Sequence, residues 1–300
     1  LSPSFDLKID NLSVIYSNGV KALVNTNLYL KRGTICALVG ANGSGKSTLF
    51  KSILGLIRPQ TGVISIGGLD RSQAIKQHLI SYVPQIEEID WDFPISVYEV
   101  VMMGRYGRMG ILRIPSKVDK EIVMESLKKV ELDEYAHRQI SELSGGQKKR
   151  VFLARSLAQE SPLILLDEPF TGVDVNTEHK IIELLKDLRK DGHIILVSTH
   201  NLGSVPEFCD EVALMKQTVI KHGKTEEIYN ESNLMSTFGD ALRHFRFDES
   251  TVHKNDGRSI TLLTDDERPL VLGKGGHLEY TDKAGKSHIA KDRDHGDEHD

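Results

Sequence analysis

Cysteine is scarce: two residues in 300, Cys36 inside an apolar run and Cys209 beside Asp210. That excludes a disulfide framework and fits a reducing compartment. A basic excess is also missing, because 38 lysines and arginines stand against 43 aspartates and glutamates. Nucleic acid is therefore not expected as a partner. The densest apolar runs, residues 163–166 and 194–197, are strand-sized and fall well short of the ~20 residues that a membrane-crossing helix needs. Nor do the first residues, Leu-Ser-Pro-Ser-Phe-Asp, show a basic stretch followed by an apolar one, so no secretory signal is expected. What remains is a chain with 39% hydrophobic residues, enough for a full globular core.

Residues 5–32 alternate apolar and polar around a turn at Ser17, Asn18 and Gly19, the pattern of an antiparallel β layer. A continuous apolar strand, 35–39, then leads through a glycine-rich loop into a helix from Lys46 to Leu54, stopped by Gly55. Strands are expected at 62–66 and 79–83. From about 90 to 160 the character is helical. Ser96 and Glu99 have the spacing of a capping box, and Val118, Ile122, Val123, Leu127 and Val130 follow a 3.6-residue period. Strands 163–166 and 194–197 are apolar throughout, with a helix carrying Ile181, Ile182, Leu184, Leu185 and Leu188 between them. Runs without alternation suit parallel strands covered on both faces, so the expected core is a doubly wound α/β sheet. One domain is expected over 1–230 and an extension over 231–300. The extension has short strands at 260–263, 270–272 and 277–280, and a polar tail expected to be disordered from about 284.

Three motifs carry chemistry. Gly40, Ala41, Asn42, Gly43, Ser44, Gly45, Lys46, Ser47 and Thr48 match the phosphate-loop pattern between a strand and a helix. Backbone N–H groups and the helix N-terminus there would converge on anionic oxygen, Lys46 would add a charge at the β/γ-phosphates, and Ser47 would offer a hydroxyl to Mg²⁺. At 163–169 an apolar strand ends in Asp167 and Glu168. Beside a phosphate loop, Asp167 suits Mg²⁺ and Glu168 suits the attacking water. Ser144, Gly145, Gly146 and Gln147 open a further helix and form a second anion site.

In this order the three motifs resemble ATP-binding subunits of ABC transporters over residues 5 to about 230. The resemblance implies a P-loop NTPase (RecA-like) core with an antiparallel β layer and a helical subdomain carrying the signature motif. It implies ATP and Mg²⁺ as ligands, and nucleotide held between the phosphate loop of one copy and the signature of another. Glu168, His200 and Lys46 take the catalytic roles. Gln85 matches the glutamine loop that touches Mg²⁺ and water, His200 the switch histidine at the γ-phosphate, and Asp174 a cross-dimer contact. Tyr16 matches the adenine-stacking ring, although a hairpin tyrosine packing its neighbours reads almost as well. The loop after Glu168 reads Thr171, Gly172, Val173, Asp174 where the family often has Ser-Ala-Leu-Asp; glycine there is freer than alanine.

The segment from Trp91 through Gly104 to Gly107, with Phe170 to Asp174, is similar to bacterial manganese, zinc and iron uptake ATPases. Manganese or iron import is expected ahead of zinc. The implied partners are a second copy, a membrane permease and, indirectly, an extracytoplasmic solute-binding protein. The implied location is the cytoplasmic face of the bacterial inner membrane. His288, His295 and His299 lack ligand spacing, so the tail is read as passive rather than metal-sensing. A soluble ATPase in repair or translation, a non-catalytic nucleotide sensor, and an ABC subunit for another substrate or for export remain the competing readings.

Overall fold

A computed structural model describes residues 5–85 and 94–239, with five short strands at 243–247, 260–264, 270–272, 279–281 and 287–289. Trp91 and the other residues of 86–93 lie outside the described residues, as do His277, His295, His299 and most of the tail.

β1 (Asp6–Ile15) and β2 (Lys21–Lys31) form a hairpin whose turn closes through Tyr16 N–H donating to the Val20 carbonyl at 2.9 Å. Leu7 opposes Leu30 and Ile9 opposes Leu28, so the alternating apolar set lies on one face, and all four side chains are buried. β3 (Thr34–Val39) runs into the glycine-rich loop and α1 (Lys46–Ile53). β4 (Thr61–Ile66) returns to pair with β1, and β5 (Leu69–Asp70), α2 (Arg71–Lys76) and β6 (Ile80–Val83) follow.

The helical part contains α3 (Val97–Met102), α4 (Lys117–Lys129) and α5 (Gly145–Ala158). Each starts from a serine, Ser96, Ser116 or Ser144, in a reciprocal capping box with the third helical residue. The α4 stripe differs from the sequence expectation in one place: Val118 is 58% exposed, and Asp119 takes the inward position of the first turn. The reason is Arg105, itself buried, which donates to Asp119 at 3.0 Å and to the Ala158 carbonyl at 2.7 Å. An inward carboxylate is tolerated because it is paired.

Strand–helix alternation then resumes with β7 (Leu163–Asp167), α6 (Val175–Lys190), β8 (Ile194–Thr199), α7 (Val205–Phe208), β9 (Glu211–Met215) and β10 (Val219–Lys224). α8 (Thr225–Ile228) and α9 (Glu231–Phe238) complete this part. The main sheet has the order β10-β9-β3-β8-β7-β6, parallel except for β10 at the edge. Both faces are covered. Ile35, Ala37, Val39, Ile164, Leu166, Ile195 and Val197 join one core with α5 and α6. Cys36, Leu38, Leu163, Leu165, Ile194 and Leu196 join the other with α1 and the β1–β2 layer. A period of two that is apolar on both phases explains why these strands lack polar residues. Both cysteines are free and buried, and burial pushes both thiols well above their ordinary values. Among the described residues, no helix is long and apolar enough to cross a membrane.

Candidate active site

In an open parallel sheet, the carboxyl ends of the strands collect the loops that meet ligands. Here β3 ends at the glycine-rich loop, β6 just before Gln85, β7 at Asp167 and Glu168, and β8 just before His200. Tyr16, residues 42–48, Gln85, Asp167, Glu168 and His200 consequently line one cleft of about 440 Å³, with Val20, Lys21, Ala22 and Gln217 completing the wall. Gly40 and Ala41 lie at its foot, where their carbonyl oxygens accept from the buried Lys46 Nζ at 2.5 and 3.3 Å.

The loop is held tightly from behind. A Cβ at Gly40 would lie 2.3 Å from the Met215 carbonyl oxygen, and Gly45 caps α1 with φ +103 and no side-chain cap. The first N–H groups of α1 are therefore open to a ligand. The Ser44 hydroxyl is buried with no hydrogen-bond partner among the described residues. Gln217, in the turn after β9, donates its N–H to the Ser44 carbonyl at 2.7 Å and so clamps the loop to the sheet.

Asp167 is only 8% exposed, and hydroxyls position its carboxylate: Tyr82 donates to Oδ2 at 3.2 Å and Ser198 donates to Oδ1. Glu168 Oε2 meets His200 Nδ1 at 2.8 Å. Tyr16 is half-exposed, and its hydroxyl lies 2.9 Å from Thr48 Oγ1.

The signature residues are elsewhere. Ser144, Gly145, Gly146 and Gln147 do not line the cleft; Ser144 and Gln147 satisfy each other across the start of α5. Asp174 is their neighbour, since a Cβ at Gly146 would lie 3.8 Å from its Oδ2. Asp174 caps α6, and the Thr177 hydroxyl, then the Thr177 N–H, holds its carboxyl below the ordinary value.

Sequence reasoning missed Ser198, Tyr82, Gln217 and Lys149. Ser198 meets Asp167 because β7 and β8 pair in the register Asp167↔Ser198, which no local pattern announces. Its place two residues before His200, near the end of β8, was the available signal.

Comparison with known proteins agrees with this geometry. The ABC transporter family model matches residues 23–171. The chain is 58% identical over 268 residues to the chelated iron transport system membrane protein YfeB of Yersinia pestis, covering 89% of this chain and 90% of the relative. It is 57% identical over 234 residues to the manganese transport system ATP-binding protein MntA of Synechocystis, covering 78% and 90%. Among solved structures, a dimeric ATP-binding cassette in a post-hydrolysis state with ADP and Pi is 31% identical, with a TM-score of 0.63 and coverage of 73% and 98%. A phosphate loop at the carboxyl edge of a parallel sheet, a carboxylate pair beside it, a serine-capped signature helix and these relatives lead to one conclusion: the chain belongs to the ABC transporter family, as an ATP-hydrolysing ATP-binding subunit.

Proposed function

We propose that this subunit powers import of a transition-metal ion, manganese or iron ahead of zinc, as a dimer of two copies beneath a membrane permease. The observation that carries the dimer is the separation of two anion-binding elements within one chain, residues 40–48 in the cleft and residues 144–147 outside it. A second copy, supplying Ser144, Gly145, Gly146, Gln147 and Asp174, completes each nucleotide site. The metal reading is supported by the iron and manganese systems for which the two relatives are named. The permease receives its cargo from an extracytoplasmic solute-binding protein, and the ATPase works on the cytoplasmic face of the inner membrane.

The cleft suits a magnesium-bearing nucleoside triphosphate. Among the described residues, the Ser44 hydroxyl lacks a partner, and nothing beyond its chain neighbours lies within 4 Å of where a Cβ on Gly43 would sit. Ser47, Gln85 and Asp167 are the residues to hold Mg²⁺, which when bound offsets phosphate charge. Lys46 exchanges its carbonyl partners for phosphate oxygen, Glu168 takes the proton of the attacking water, and His200 orients it. Tyr16 stacks on adenine.

Replacing Glu168 by Gln tests the site. Turnover by the chain purified with its permease is expected to fall by about 100-fold or more while ATP affinity is kept. Wild-type turnover in that variant would overturn the base assignment. Uptake of manganese, iron and zinc, measured ion by ion in cells lacking the chain, tests the cargo; unchanged uptake of all three rules out the metal reading.

A further inference from the structure

Lys149 lies on α5, the helix that Ser144 caps, yet its side chain reaches the loop after β7. Its Nζ donates to the Glu168 carbonyl oxygen at 3.3 Å and to that of Thr171. The side chain is buried, beside a small apolar cavity walled by Val83, Leu153, Leu166 and Ile181, and it does not line the nucleotide cleft. The backbone it grips is strained: Glu168 has φ +50, in the left-handed region that residues other than glycine seldom enter. Such a conformation persists only where its surroundings over-determine it. Here the Glu168 N–H donates to the Ser198 carbonyl at 3.1 Å and lies 3.3 Å from Ser198 Oγ, while Lys149 takes the Glu168 carbonyl. The sheet holds one end of the residue and the helical part holds the other.

We infer that Lys149 is a positioning residue for Glu168. Its ammonium fixes the left-handed turn that aims the carboxylate at His200, and it ties that carboxylate to the helix bearing the signature. Hydrogen bonds from a charged donor to carbonyls in apolar surroundings are strong enough to hold the turn. The inference rests on Glu168 being the base, as proposed above.

Steady-state ATPase kinetics of Lys149→Met and Lys149→Arg, in wild-type and Glu168→Gln backgrounds of the full chain with its permease, test it. Lys149→Met is expected to lower kcat about tenfold with KM for ATP within about twofold, and Lys149→Arg, which keeps a long charged donor, to restore kcat to within about threefold. In the Glu168→Gln background Lys149→Met is expected to change nothing further, because residues acting as a unit are not additive. If Lys149→Met does not fold, Lys149→Gln replaces it, with the same loss of kcat at constant KM expected. Full kcat, a loss confined to KM, or losses that multiply with Glu168→Gln would each overturn the inference. Wild-type turnover of Glu168→Gln alone would instead defeat the base assignment.

Discussion

Two glycines of the phosphate loop have positive φ but different surroundings, and alanine at each separates backbone strain from steric exclusion. Gly43 has φ +78, and a Cβ there would meet nothing within 4 Å. Gly45 has φ +103, and its Cβ would lie 2.7 Å from the Ala22 carbonyl oxygen, 2.8 Å from Leu23 Cδ2 and 3.1 Å from Met215 Cε. The Ala22 carbonyl is backbone of β2, which pairs with β1 at Lys21 and Leu23 on either side, so it cannot retreat cheaply, whereas Leu23 Cδ2 and Met215 Cε are side-chain ends that can shift. Gly43→Ala should cost the left-handed penalty alone, about 1 kcal/mol. Gly45→Ala should cost about 1–2 kcal/mol for a φ outside the left-handed well plus about 1–3 kcal/mol for overpacking, roughly 2–5 kcal/mol together. At about 2–4 °C per kcal/mol for a domain of this size, the melting temperature should fall about 3 °C for the first and about 10 °C for the second. Thermal unfolding without nucleotide measures this directly, because no ligand contact then contributes. Equal shifts for the two variants, or a shift for Gly45→Ala under about 2 °C, would refute the packing argument.

The Asp119 carboxyl is held below its ordinary value, chiefly by hydrogen bonds from Ser116 and next by Arg105. A lowered folded-state value means that the unfolded chain binds more protons in this range, so the contribution is complete above the ordinary aspartate value of about 4 and lost as pH falls through the folded value. Urea melts of wild type and Asp119→Asn should therefore differ most near neutrality and converge in acid; a constant difference across pH would count against the pairing. At neutral pH Arg105→Met should destabilise by about 3 kcal/mol, since it strands a buried carboxylate and the Ala158 carbonyl. In ATP titrations, Tyr16→Phe should stay within about threefold of wild type, because it loses only one neutral, part-buried hydroxyl contact to Thr48. Tyr16→Ala should weaken binding by about 1–3 kcal/mol if the ring stacks on adenine, and equal affinities in the two variants would remove that role.

The phosphate loop was legible because it is contiguous: its glycines, Lys46 and Ser47 adjoin one another between a strand and a helix whose own patterns are strong. The capping box of Ser96 with Glu99 was legible because it acts within a single turn, whereas those of Ser116 and Ser144, equally local, were not read as caps. Val118 was misread because periodicity weighs hydrophobicity and not partners. An inward Asp119 makes sense only once Arg105 is seen beneath it.

By itself the sequence determined the parallel, doubly covered sheet, since strands apolar on both phases need two cores, and it marked the loops proposed above to meet anions. Tertiary structure alone decided what holds the phosphate loop, Asp167 and Glu168 in place. Ser198 arrives by strand register, Gln217 by an edge turn, and Lys149 from a helix of another layer. Those contacts join residues distant along the chain, and the free energy that selects them is that of packing and pairing in the assembled sheet, which no short stretch of residues encodes.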